Sequence, residues 1–260
     1  MDLIPLLSQK FEIFMLIFCR ISGICFISPF LGQKNIPIKV KTIITFSIAL
    51  LALPMVPLPE HELGGSLFEI FMLVFKEVSF GALLGFVSLL LFLGIQLAGQ
   101  IIGFQMGFAI VNVIDPSTQT QISIISEFKY IIAILVYLTI NGHHFLISAI
   151  VQSFQLIPPG TISFAQSTSE LVSRACSQIF VIALKVAAPA MVTLFLTSLA
   201  LGIIARTVPQ MNVFIVGFPL KIGVGLLILG SGLSYFGNLF SKFLSGSHLN
   251  LSNLIMINAG

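Results

Sequence analysis

The chain is expected to fold as an all-α integral membrane protein of long, kinked helices and helical hairpins, and three observations predict it. Hydrophobic residues make up 57% of the 260 positions and charged ones 8%, where a soluble domain carries about 25% charged residues. Mean hydropathy is +1.10. The uncharged run from Val78 to Ile114 is far longer than the roughly 20 residues that cross a bilayer core. Length by itself fits one or two soluble domains. So few charges cannot cover a water-facing surface, however, so one helical unit in or against apolar surroundings is expected.

Six apolar segments follow from length and punctuation. The first runs from about Phe11 to Leu31 with Arg20 inside it. It is read as a retained membrane helix, because its apolar stretch is long, Asp2, Lys10 and Glu12 precede or open it, and no A-x-A site follows. The second, Thr42 to Val56, is short and ends in Pro54, Pro57 and Pro59. Lys34, Lys39 and Lys41 in the first loop favour the cytoplasmic side, which puts the acidic loop around Glu60 and Glu62 opposite. The third segment begins near Leu67, passes Lys76 and Glu77, and continues to Ile114 as two helices or one long bent one. A fourth runs from Glu127 to Ile157, broken near "NGHH" and stopped by Pro158-Pro159-Gly160. The fifth, Leu171 to Ala205, contains Lys185 and Pro189; the sixth, Met211 to about Leu244, contains Pro219 and Lys221. Residues 246–260 are expected to be a short polar tail.

Several function classes are disfavoured at once. A net charge of +3, scattered along the chain, makes no nucleic-acid surface. Cys19, Cys25 and Cys176 form no CxxC and no metal-ligand spacing, so they read as buried, inert thiols. His143 and His144 are adjacent and would diverge by about 100° on a helix, a poor metal pair. "GLSY" at Gly232–Tyr235 offers a G-x-S around Ser234, but neighbouring glycines explain the run as packing. With no Walker loop and no H-E-x-x-H, neither catalysis nor a cofactor is expected.

Three features remain. Gly81 and Gly85, then Gly99, Gly103 and Gly107, recur at four-residue spacing, and Gly223, Gly230 and Gly237 at seven. Small residues so spaced let helix backbones approach closely, whether within one chain or between neighbours. Arg20, Lys185 and Lys221 are lone charges in apolar sequence. For Arg20 and Lys221, near punctuation, the expectation is snorkelling to a helix end. Lys185 is the deepest and stands as the candidate for a buried or functional pairing. Pro189, Pro209 and Pro219 interrupt apolar segments and would kink helices. Discontinuous helices occur in secondary transporters, so a small-solute transporter is the alternative reading.

The stretches "CRISGICFISPFLG", "IQLAGQIIGFQMGFAIVNVIDP", "NGHHFLISAIVQSFQLIPPG" and "KVAAPAMVTLFLTSLALGIIARTVPQMNVFIVGFPLKIG" together resemble the FliR family of flagellar export-gate proteins. The resemblance covers nearly the whole chain, and "ARTVPQMNVFIVGFPLKI" is its most specific part. It implies a non-enzymatic subunit that assembles with FliP and FliQ into a conical gate, with FlhB associated and FlhA below. Unfolded rod, hook and filament subunits would pass through it. The location implied is the bacterial inner membrane within the flagellar basal body, where the basal-body ring encloses much of the gate.

The same resemblance implies a fusion of two folds. Residues 1–157 would be FliP-like, with a plug loop near 112–126, and residues 158–245 a FliQ-like helical hairpin. Plug or constriction candidates are then Gln105, Met106, Phe108, Asn112, Asp115 and Pro116. Met is adaptable enough to seal and yield, and Pro116 biases Asp115 away from helix. Helix-packing candidates are the eight glycines already named. Lys185, Arg206, Pro209, Gln210, Asn212 and Lys221 are candidates for partner contact or for the entrance.

Overall fold

The computed structural model describes residues 3–33, 35–56, 66–108, 123–208, 210 and 212–259. All regular structure among them is helical: α1 (Leu3–Ile27), α2 (Ile38–Ala52, followed by a 3-10 turn, Leu53–Met55), α3 (Leu67–Met106), α4 (Ile124–Thr139), α5 (Gly142–Leu156), α6 (Gln166–Thr207), α7 (Val213–Ser231) and α8 (Leu233–Ala259). This is the expected fold class. Among the described residues three helices are long and apolar enough to cross a membrane, Ile38–Met55 (α2 with its 3-10 turn), α3 and α6; counting each bent pair as one span raises the number to five.

The sequence sets where these helices start and stop. At the head of α3 the Glu69 backbone N–H donates to Ser66 Oγ (3.3 Å), and the Ser66 N–H donates to Glu69 Oε2 (3.2 Å). This reciprocal capping box satisfies two donors that the first turn leaves open. The third segment is thus one 40-residue helix, and it stops short of Ile114. At its end Phe108 N–H donates to Gly103 O and Gly107 N–H to Phe104 O, both 3.1 Å. With Gly107 at φ +95°, this is a Schellman stop. The fourth segment divides where expected: Asn141 takes a left-handed conformation, φ 56°, between α4 and α5. The sixth bends by 60° between α7 and α8, at Gly232.

The expected polar tail is instead the last part of α8. Leu251, Leu254 and Ile255 are buried; their i, i+3, i+4 spacing makes one apolar face. Asn258 then fastens the end: its Oδ1 accepts from Thr168 Oγ1 (2.9 Å) and Ala165 N–H (3.2 Å), and its Nδ2 donates to Leu254 O (2.8 Å).

The packing forms two units. The first comprises Met1–Leu90, Asn141–Ala175 and Ser245–Gly260; the second comprises Leu91–Ile140 and Cys176–Leu244. In the first, Ile13, Ile17, Ile21 and Ile24 of α1 pack with Phe80, Leu84 and Val87 of α3 and with Leu254 and Ile255 of α8. In the second, Phe92 of α3 is the hub, edge-on to Tyr137 (5.4 Å) and Phe240 (5.8 Å).

Candidate functional site

In the first unit α1 and α3 cross on glycines. A Cβ at Gly81 would collide with the Arg20 carbonyl; one at Gly23 would stand 2.5 Å from Val78 O, and one at Gly85 2.9 Å from Ile24 O. Beside that crossing lies Arg20, with no exposed surface. The expectation that it snorkels is overturned. Its Nε and Nη2 donate to the two carboxylate oxygens of Glu77 at 2.6 and 3.1 Å, and Glu77 is equally buried. Its Nη1 donates to Ser153 O (3.0 Å) and Ile157 O (2.9 Å), two carbonyls at the end of α5, the first of which also accepts the Ile157 N–H (3.0 Å). Glu77 Oε1 also accepts the Gly160 N–H at 2.7 Å. The guanidinium lies 4.4 Å from the Phe154 ring centroid. Every side-chain nitrogen and oxygen of the pair therefore has a partner, the condition under which a buried ion pair is tolerated. Local patterning missed this site because Glu77 is 57 residues from Arg20 and Ser153 is 133 away.

In the second unit the C-terminal end of α3 packs on the start of α4. A Cβ at Gly99 would stand 2.5 Å from Ser126 Cα, and one at Gly103 would strike Ser123 Oγ. Ser126 Oγ donates across the contact to Gln96 O at 2.7 Å. Of the constriction candidates, Met106 is fully buried and fills the space above Gly225 of α7, where a Cβ would meet its thioether at 2.7 Å. Phe108 is half-buried against the same core. Gln105 is half-buried, and its buried Oε1 has no hydrogen-bond donor among the described residues. Gly107 lies against the Phe218 ring and ends the helix. Asn112, Asp115 and Pro116 lie outside the described residues, as does Pro209.

Lys185 is exposed on α6 and makes no buried pairing among the described residues; the buried pair sits at Arg20 instead. Lys185 shares a small cavity with Lys129 of α4, a residue the patterning did not single out. Arg206 is exposed in the last turn of α6, where it faces the negative end of the helix dipole. Asn212 heads α7: its carbonyl accepts the Ile215 N–H at 3.1 Å. Gln210 is exposed between the two helices and Lys221 is half-buried on α7. A Cβ at Gly223, Gly230 or Gly237 would meet nothing within 4 Å. These three glycines seat no neighbouring helix among the described residues, unlike Gly81, Gly85, Gly99 and Gly103.

Among the described residues no group of three His, Cys, Asp or Glu side chains is placed to hold a metal ion. His143 and His144 stack edge-on with centroids 4.4 Å apart. Ser234 is exposed on α8. The cysteines are free; Cys25 is buried and the other two half-buried.

The profile of a family described as bacterial export proteins, family 1, matches residues 11–247. Among curated relatives, the flagellar biosynthetic protein FliR of Bacillus subtilis is 38% identical over 84% of this chain and 85% of its own. The protein of the same name from Escherichia coli is 31% identical over 82% of this chain and 80% of its own. That from Aquifex aeolicus is 29% identical, covering 85% and 86%.

Proposed function

The chain belongs to the FliR family of bacterial export proteins, and from that membership we propose that it is a non-enzymatic subunit of the flagellar protein export gate. In its coarser form this makes it a membrane component of the flagellar export apparatus. In its finer form, it builds a conduit with FliP-like and FliQ-like subunits in the inner membrane at the basal body, next to FlhB and FlhA. Through that conduit unfolded rod, hook and filament proteins leave the cell. The observation that carries the reading is the family match over residues 11–247, which takes in both units and every segment of the resemblance.

Several features support it. Large apolar side chains stand exposed along α3 (Phe68, Phe71, Phe75) and α6 (Phe180, Leu184, Phe195, Leu199), the kind of surface that lipid or neighbouring subunits cover. Gly223 and Gly230 on α7 are open to a close helix neighbour. On this reading Gln105 and Phe108 border the constriction while Met106 secures the helix behind it. Asn112, Asp115 and Pro116 belong to the plug, and Arg206, Pro209, Gln210 and Asn212 form the tip of the FliQ-like hairpin at the entrance.

The deciding experiment is affinity purification of the tagged chain from a motile host. FliP-like and FliQ-like chains are expected to accompany it in fixed ratio. Recovery of a lone, stable chain that moves a small solute into vesicles would overturn the reading in favour of a secondary transporter. For the plug, a complex lacking residues 116–121 is expected to conduct ions in planar bilayers; conductance equal to the intact complex would refute that role.

A further inference from the structure

Among the described residues of the second unit, two ammonium groups have no acid beside them. Lys129 on α4 is 5% exposed, and its Nζ lies 4.8 Å from the Phe236 ring centroid. It makes no hydrogen bond or ion pair among the described residues. Lys185 on α6 is exposed and makes none there either. Both line one cavity of about 40 Å³, together with Gly232 and Tyr235 at the break between α7 and α8. The remaining walls, such as Ile102 and Leu229, are apolar. No carboxylate lines it among the described residues, of which this unit's acid is Glu127, exposed elsewhere on α4.

Ionisable groups in apolar helices face a partner or a wet cavity, so the missing element here is an anion. Its source follows from where Lys185 sits. It is 11 residues beyond Arg174, the nearest charge before it on α6, and 21 before Arg206, about 16 and 32 Å along the helix at 1.5 Å per residue. A lipid phosphate stays at the interface of a hydrocarbon core about 30 Å thick. The middle of a long apolar helix is reached instead by a side chain on another helix. We propose that Lys129 and Lys185 form a two-cation site that receives the carboxylate of an aspartate or glutamate from a neighbouring subunit. This rests on the assembly reading above. It adds the chemistry of one contact: an acid entering beside the Gly232 break, flanked by Tyr235, with Lys129 behind it and Lys185 at the mouth.

The test uses the full chain co-expressed with its neighbouring subunits and purified as the complex. Zero-length carbodiimide coupling joins an amine to a carboxylate that touches it. Mass spectrometry is expected to find Lys129 or Lys185 joined to an Asp or Glu of another chain. The double variant K129M/K185M is expected to lower recovery of the complex at least tenfold while the free chain stays within twofold of its normal level in membranes. Recovery of the complex within twofold, or full acetylation of both lysines in the intact complex with no inter-chain coupling, overturns the proposal. So does native mass spectrometry in which the intact wild-type complex carries an anionic phospholipid that the variant loses. If the double variant is poorly produced, the coupling result on the wild-type complex decides alone. Purification of the wild-type chain with no companion subunit is seen before either lysine is altered; it removes the assembly reading, and this proposal with it.

Discussion

Arg20 sets the energetics of the first unit. Taking both charges out of water is costly, and the Arg20–Glu77 pair holds because the Ser153 and Ile157 carbonyls and the Gly160 N–H complete its hydrogen bonds. Removing one partner leaves a bare buried charge, so E77A is expected to destabilise the chain by about 3–5 kcal/mol. The loss would appear as a lower thermal midpoint in detergent and a lower level in membranes. Replacing both at once, R20M/E77M, is expected to recover most of that loss, and a double-mutant cycle measures the difference. Gly107 gives a second, smaller prediction. An L residue there must adopt the left-handed region, so G107A is expected to cost about 1–2 kcal/mol, read as the same midpoint shift. At this scale the sequence was only half legible. Arg20 and Lys185 were visible as odd charges, but their environments were exchanged: the one near punctuation is buried and the one deep in its segment is exposed. Burial of a single side chain depends on residues 57 and 133 positions away, which no local period reports.

Helices were more legible than side chains because length, apolar runs and Gly or Pro punctuation are local. The break at "NGHH", the stop at Pro158 and the long fifth segment all follow from such signals. The Ser66–Glu69 capping box was not singled out, although its S-x-x-E spacing is local. The extension of α8 was not legible: in "LSGSHLNLSNLIMIN" interleaved polar residues lower the average, and the face of Leu251, Leu254 and Ile255 emerges only when helical spacing is imposed. Truncation after Ser245 is therefore expected to destabilise the first unit rather than trim a loose end. L254A alone is expected to cost about 2–4 kcal/mol, checked by hydrogen exchange at α1 and α5 backbone amides. The glycine crossing of α1 on α3 makes a parallel prediction. Even one methyl at Gly81 meets the Arg20 backbone, so G81A is expected to cost about 1–3 kcal/mol, whereas G223A and G230A, with open space for the methyl, are expected to cost nothing or to stabilise by up to about 1 kcal/mol. Equal losses at all three would mean that the open glycines are seated within the chain after all.

For the molecule as a whole, composition made the membrane class legible, and the family motifs extended that to a role in export. Its neighbours were expected from the family resemblance alone, since the residues that would meet this chain are written on other chains. The exposed phenylalanines of α3 and α6 predict that the chain extracted alone elutes as aggregate on size exclusion, and as a defined complex when its neighbours are co-expressed; a monodisperse lone chain would contradict this. The Arg20 cluster has a further bearing on how such a molecule comes into being. Synthesis runs from the N-terminus, so the ribosome delivers the guanidinium first, its counter-charge 57 residues later, and the carbonyls that finish its shell 133 and 137 residues later. Until then α1 holds an unanswered cation. The newly made helix must wait at the insertion machinery or at the water interface, and its final docking becomes a late event in biogenesis, timed by the arrival of α5.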